Sequence, residues 1–160
     1  MIPSSDEKRK LYQLSLKQVK EALADETDIT ALLASVVCIL KTNLPHGFWI
    51  GFYRVDTKNP RQLVVGPYQG TFGCLRIDFG AGVCGTCAER REAVIVADVH
   101  QFPGHIACDA ASASEIVLPL FDQTGSLYAV LDLDAVKLGA FDEVDQHGLE
   151  AILEIIRKKL

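Results

Sequence analysis

The segment from Gly104 to Glu115 carries the residues of this chain that are best suited to chemistry. It places Cys108 and Glu115 seven residues apart among small side chains, and it closes a long irregular run that begins near Asp98. A loop of that length in a compact domain is more often functional than idle. A thiol on such a loop can be exposed and can acquire a lowered pKa, which makes a cysteine reactive. The segment therefore predicts that Cys108 is a redox nucleophile.

The other cysteines are Cys38, Cys74, Cys84 and Cys87, which brings the total to an odd number. An odd count in a cytosolic chain does not suggest a framework of structural disulfides. In a redox mechanism Cys108 attacks, and either Cys74 or Cys84 is the resolving thiol. Cys84 is expected near the start of a short helix, where free backbone N–H groups favour a thiolate. Cys38 lies inside a predicted helix and is expected to be a buried, neutral thiol.

A metal site is the competing hypothesis for these cysteines. Cys84-x-x-Cys87 followed by His105-x-x-Cys108 supplies four ligands of the types that zinc binds, and His100 could replace His105. A single C-x-x-C pair is only half of a strong zinc signature. The redox interpretation is therefore preferred, and no metal or other cofactor is expected.

Three acidic residues complete the candidate chemistry. Asp132 and Asp134 alternate along a predicted strand and so lie on one face of it, while Glu115 opens another strand. Two carboxylates at that spacing repel each other, and they either mark a solvated strand end or bind a cation such as a substrate ammonium. All three acids could donate a proton or bind substrate.

The aromatic strand from Phe48 to Val55 is the last candidate element. Its alternation puts Trp49, Gly51 and Tyr53 on one face, where two rings flank a residue without a side chain. This face is either a notch for a small ligand or part of an aromatic core.

Composition limits what the protein can be. The chain has 160 residues, which is enough for one domain, with 49% apolar residues and a net charge of −5. The charge argues against a nucleic-acid surface, and no apolar run approaches the length of a membrane span. The polar start lacks the apolar region of a signal peptide, so we expect a cytoplasmic protein.

Hydrophobic periodicity predicts the elements that position these residues. Helices are predicted over 5–24, over 29–43 and from 142 onward, and the segment 80–90 is predicted to be a loop that leads into a short helix. Strands are predicted over 48–55, 63–65, 74–77, 94–97, 115–120 and 126–134. Helices grouped around short strands indicate an α+β fold with an antiparallel sheet and helices packed on it.

Seven short blocks of the chain resemble the free methionine-(R)-sulfoxide reductase family, whose members are single GAF domains. They are Trp49-Ile50-Gly51-Phe52-Tyr53, Gly66-Pro67-Tyr68-Gln69-Gly70, Gly82-Val83-Cys84-Gly85-Thr86, Asp98-Val99-His100, Gly104-His105-Ile106-Ala107-Cys108-Asp109-Ala110-Ala111-Ser112, Ser114-Glu115-Ile116-Val117-Leu118-Pro119 and Leu131-Asp132-Leu133-Asp134. The resemblance implies one GAF domain over 1–160, with a six-stranded antiparallel sheet and helices on its faces. Residues 1–45 would form the N-terminal helices, and 46–160 the sheet, the active-site loops and the C-terminal helix.

The resemblance also implies an activity, the reduction of free L-methionine (R)-S-oxide. By position, Cys108 attacks the sulfoxide sulfur and becomes a sulfenic acid, Cys74 is the main resolving cysteine, and Cys84 is a further redox cysteine. Thioredoxin would reduce the disulfide. Trp49 and Tyr53 would hold the methylthio end of the substrate. The acids Glu115, Asp132 and Asp134 would bind the amino group and polarise or protonate the sulfoxide oxygen.

Three questions stay open at this stage. A non-catalytic GAF sensor that binds a small molecule is the alternative function, and a homodimer is possible by analogy. Cys87 departs from the pattern of the family, and it is either a buried bystander or an extra disulfide partner for Cys84.

Overall fold

The computed structural model describes residues 1–106 and 108–160. In chain order the elements are α1 (Ser5–Ala22), α2 (Ile29–Asn43), β1 (Trp49–Val55), β2 (Gln62–Gln69), β3 (Arg76–Asp78), α3 (Gly82–Arg90), β4 (Val94–Val96), a 3₁₀ helix (Val99–Gln101), β5 (Ser114–Phe121), β6 (Leu127–Ala135) and α4 (Glu143–Arg157). The predicted α+β class and the antiparallel sheet are confirmed.

The six strands form one sheet in the order β3-β2-β1-β6-β5-β4, and every neighbouring pair is antiparallel. The central strands β1, β6 and β5 are buried on both faces. The two faces of the sheet therefore support two separate cores, one under the long helices and one under α3 and the loops.

The larger core lies between the sheet and the helices α1, α2 and α4. Ile50 and Phe52 of β1 and Ile116 and Leu118 of β5 enter it, as strand alternation predicts. The smaller core holds their strand neighbours, including Trp49, with the buried side of α3. The candidate chemistry lies on this second face.

Local signals set the helix ends. Ser4 forms a capping box with Glu7, Asp28 caps α2, and Asp142 forms a second capping box with Asp145 at the start of α4. In each box a side-chain oxygen accepts a hydrogen bond from a backbone N–H that no helical carbonyl can reach. Ser4, Asp28 and Asp142 thus mark the N-terminal ends of the three long helices.

β2 is longer than predicted, and its irregular centre explains the difference. The register between β1 and β2 shifts between Gly51 and Tyr53, where Gly66 and Pro67 stand opposite Phe52 alone. This is a β-bulge, which tolerates a glycine and a proline that would otherwise argue against a strand. β3 begins only at Arg76, so Cys74 lies in the loop before it.

Cys38 was expected to be buried, and this prediction is wrong because the residue is exposed. The buried stripe of α2 is made of Leu32, Leu33, Val36, Val37 and Leu40. Cys38 falls outside that three-four spacing, so the helix turns its side chain toward solvent.

A buried polar cluster joins the first helix to the last. Lys8 is 1% exposed, and its Nζ donates to Asp145, to Asp142 Oδ2 at 2.9 Å and to the carbonyl of Ala140 at 2.8 Å. Tyr12 donates to Asp145 Oδ1 at 2.9 Å, and His46 Nε2 lies 3.0 Å from the same oxygen. Each charge in this cluster is paired, as burial requires.

Across the described residues, no helix combines the length and apolar character that spanning a membrane needs.

Candidate active site

Strand register brings the three acids to one end of the sheet. Asp134 of β6 pairs with Glu115 on one side and with Trp49 on the other. Two residues earlier in β6, Asp132 pairs with Val117 and with Gly51. Residues two apart share a face, so both aspartates point toward α3.

A small cavity lies where this end of the sheet meets α3 and the two long loops. The three acids line it together with Trp49, Tyr53, Cys84, His105, Cys108 and Ser112. Its free volume is about 40 Å³, which is room for about three water molecules. The structure thus brings seven of the eight predicted site residues to one cavity, and Cys74 adjoins it through its bond to Cys108.

Cys74 and Cys108 form a disulfide at the mouth of this cavity, with their Cα atoms 5.3 Å apart. Both residues are half-buried. One comes from the loop between β2 and β3, and the other from the loop that leads to β5. The Thr71 hydroxyl donates to Asp109 Oδ2 and ties the same two loops together. The resolving partner that the resemblance implied is therefore covalently joined to Cys108.

Cys84 behaves differently from its sequence-based prediction. It begins the buried side of α3, is 4% exposed, and lies 3.9 Å from Glu115 Oε1. Burial, then the charges of Asp132 and Glu115, raise the pKa of its thiol well above the usual value. The prediction of a Cys84 thiolate is wrong, because the loss of solvation on burial outweighs the stabilisation that backbone N–H groups at the start of α3 would give the charged form.

The three carboxyl groups have unequal environments. Burial, followed by the charges of Asp132 and Asp134, raises the pKa of Glu115 well above its usual value. Burial, and then the charge of Asp134, does the same to the pKa of Asp132. Burial raises the pKa of Asp134 only to about 6, since the Ser112 hydroxyl donates a hydrogen bond to its carboxylate. All three shifts favour the protonated form of these acids.

Of the two interpretations of this face of β1, the open notch at Gly51 is excluded, because the Trp49 ring fills that space. A side chain at Gly51 would meet the Trp49 ring at 2.6 Å and Tyr68 Cβ at 2.3 Å. Trp49 stacks between two tyrosine rings, 5.7 Å from Tyr53 and 5.1 Å from Tyr68 between centroids, and donates its indole N–H to Thr71. Gly51 is thus required for the folded position of the indole, and the ring itself forms the cavity wall.

Sequence reasoning missed two residues of the site. Ser112 is 5% exposed and donates to Asp134 Oδ1, and Tyr68 completes the aromatic stack. A hydroxyl four residues after Cys108, on the same loop, was the available signal for Ser112. No spacing rule could have found Tyr68, because it comes from a neighbouring strand beside a bulge.

The predicted zinc tetrad does not assemble. Cys108 is bonded to Cys74, and Cys87 is fully buried in the core beneath α3, away from the cavity lining. Cys84, His105 and Cys108 of that set line the cavity, and the disulfide makes Cys108 unavailable as a ligand. Cys87 is buried, as one of its two interpretations expected.

Comparisons with known proteins identify the family of this chain. The family model described as GAF domain matches residues 24–157. GAF domain-containing protein A of Dictyostelium discoideum is 46% identical over 96% of this chain and 94% of its own length. The free methionine-R-sulfoxide reductase of Escherichia coli is 43% identical over 86% of this chain and 81% of its own length.

A solved structure matches equally well. The free methionine-R-sulfoxide reductase of Neisseria meningitidis, in complex with its substrate, superimposes with a TM-score of 0.90 and 44% identity, covering 95% of this chain and 89% of that one. With its GAF fold, its site of cysteines and acids, and identities of this size over most of the chain, this protein belongs to the free methionine-R-sulfoxide reductase family of GAF domain proteins.

Proposed function

We propose that this protein reduces free L-methionine (R)-S-oxide to L-methionine through a sulfenic acid on Cys108 and a disulfide with Cys74. One observation carries the proposal: the Cys74–Cys108 bond lies at a cavity lined by three carboxyl groups, two of which are buried. The similarity to reductases of the same substrate supports the choice of sulfoxide.

In the first step the Cys108 thiolate attacks the sulfoxide sulfur. A proton moves to the sulfoxide oxygen, the S–O bond breaks, and the hydroxyl passes to Cys108. Methionine leaves and Cys108 becomes a sulfenic acid. A sulfoxide needs that proton before its sulfur becomes a good electrophile, so a neutral carboxyl beside the thiolate has a direct catalytic use.

The two acids with strongly raised pKa values are our candidates for the proton source. Glu115 and Asp132 are buried against each other, and the raised pKa of each keeps a proton in the pair at neutral pH. Asp134, with a pKa of about 6, is the acid that is anionic at pH 7 and is our candidate to bind the substrate ammonium. Trp49 and Tyr53 provide aromatic surface for the methylthio end.

The second step resolves the sulfenic acid. The Cys74 thiol attacks Cys108, water leaves, and the disulfide of this structure forms. A dithiol reductant, for which we propose thioredoxin, then exchanges with the disulfide and restores both thiols. Such recycling is consistent with the reducing cytoplasm. The buried Cys84 would take part only after a rearrangement of α3.

The test is a coupled assay. NADPH consumption is followed with thioredoxin and thioredoxin reductase, using the separated R and S epimers of free methionine sulfoxide. We expect turnover of the R epimer only. Cys108→Ser should abolish it, and Cys38→Ser should leave it unchanged because that thiol is exposed on α2, away from the cavity.

Two outcomes would contradict the proposal. Turnover that survives in Cys108→Ser would remove the nucleophile assigned above. Binding of the R epimer by the reduced protein without any turnover, in thioredoxin or in dithiothreitol, would favour the alternative function of a small-molecule sensor.

A further inference from the structure

Three potential metal ligands converge inside the cavity. A sulfur of Cys84 and a carboxylate oxygen from each of Glu115 and Asp132 lie within 4.8 Å of one another, and all three residues are buried. Asp132 is 5% exposed, and its Oδ1 has no hydrogen-bond partner among the described residues. A buried carboxylate oxygen without a partner is costly, and Asp132 lines the cavity.

The surroundings supply little positive charge. None of the described residues that line the cavity is a lysine or an arginine, and the basic group present is His105, whose Nε2 lies 4.0 Å from Glu115 Oε2. Asp134 faces the same space and adds a further acid. Like-charged groups in a buried site favour a bound cation.

The size and chemistry of the space indicate which cation. About 40 Å³ admits a metal ion with a water or two. A thiolate, two carboxylates and an imidazole are zinc ligand types, whereas magnesium and calcium prefer oxygen ligands alone. Tetrahedral zinc bonds of this kind place ligand atoms about 3.5 Å apart, so shifts of about 1 Å would bring the ligand atoms of Cys84, Glu115 and Asp132 to that spacing.

We propose that the disulfide form of this protein binds one zinc-like divalent ion through Cys84, Glu115 and Asp132, with His105 as the fourth ligand. Coordination requires the Cys84 thiolate, so binding releases a proton to solvent. The metal site does not depend on the proposed reductase activity.

The test uses Co²⁺ as a spectroscopic probe for zinc. The oxidised protein is titrated with Co²⁺ without any reductant, so Cys74 and Cys108 are unavailable as ligands. We expect a thiolate-to-cobalt charge-transfer band that saturates at one equivalent and that Zn²⁺ abolishes. Cys84→Ser should remove the band, while Cys38→Ser and Cys87→Ser should retain it.

Asp132→Asn provides a second variant that leaves the sulfur in place. We expect it to weaken Co²⁺ binding at least tenfold, with an unchanged circular dichroism spectrum as the check on folding. The proposal is overturned if wild-type protein shows no charge-transfer band, if the band persists in Cys84→Ser, or if Asp132→Asn binds as tightly as wild type. Because none of these measurements needs turnover, a failed reductase assay would leave their meaning intact.

Discussion

Ser112 sets the ionisation of one acid without itself touching a cysteine. Its hydroxyl donates to Asp134, and a donor to a carboxylate stabilises the charged form. Burial raises the pKa of Asp134 to about 6, so the site gains its negative charge as pH rises through that value. If Asp134 binds the substrate ammonium, the KM for sulfoxide should rise as pH falls below about 6.

Ser112→Ala tests this assignment. Loss of the donor should raise the pKa of Asp134 and move the acidic limb of the KM profile to higher pH, while kcat at high pH changes little. Ser112→Thr keeps a hydroxyl and should restore the profile, and Ser126→Ala in the β5–β6 turn is the control. An unchanged profile in Ser112→Ala would assign ammonium binding to a different acid.

At the residue scale, the limits of sequence analysis come from packing. The alternation of side chains along a strand correctly places Ile116 and Leu118 on one face of the sheet and Val117 on the other. It could not show that the Trp49 ring folds over Gly51, or that Cys84 is too buried to ionise. Both facts depend on which neighbouring strand or helix covers the side chain, and local spacing carries no such information.

The capped helices show how the elements hold the sheet. Lys8 of α1 reaches Asp145 of α4, the same carboxylate that completes the capping box of α4. We expect Lys8→Met to lower the free energy of unfolding by about 3 kcal/mol, because it leaves a buried carboxylate with fewer partners. Lys10→Met, on the exposed side of the same helix, should change it by less than about 0.5 kcal/mol. Urea unfolding measures both, and equal losses would contradict the assignment.

The same cluster predicts that the protein becomes less stable at low pH. Burial raises the pKa of Asp145, but hydrogen bonds from His46 and Lys8 outweigh it and hold that pKa below the usual value. The ionised Asp145 therefore contributes fully to the free energy of unfolding above the unfolded-state pKa, about 3.9. That contribution is lost as pH falls through the lower folded-state pKa. Unfolding curves between pH 6 and pH 3, roughly spanning that pKa, should show this loss in wild type and a smaller one in Asp145→Asn.

Element boundaries were predictable where one strong signal acts alone. The apolar stripe and the Asp28 cap predicted α2 at its observed bounds, whereas β2 exceeded its prediction because Gly66 and Pro67 occupy a bulge. A bulge is a property of two paired strands, and it becomes visible only when the partner and its register are known.

At the scale of the whole molecule, the disulfide links the two halves of the sheet. Cys74 precedes β3 at one edge and Cys108 lies before β5, with 34 residues between them. Closing a loop of that length restricts the unfolded chain, and we expect the oxidised form to be more stable than the reduced form by about 3 kcal/mol. Thermal unfolding with and without dithiothreitol measures the difference, and Cys74→Ser should show none.

The small volume of the closed cavity has a consequence for the order of events in turnover. In the disulfide form the cavity has room for about three water molecules, which is less than methionine occupies, so we expect the amino acid to leave before Cys74 closes on Cys108. Turnover then alternates between two forms of the enzyme that never bind both substrates together, and double-reciprocal plots should give parallel lines. Reduced enzyme mixed with sulfoxide alone should release a rapid burst of methionine equal to its own concentration. In a cell whose reductant is exhausted, every waiting molecule of the protein would thus still repair one sulfoxide.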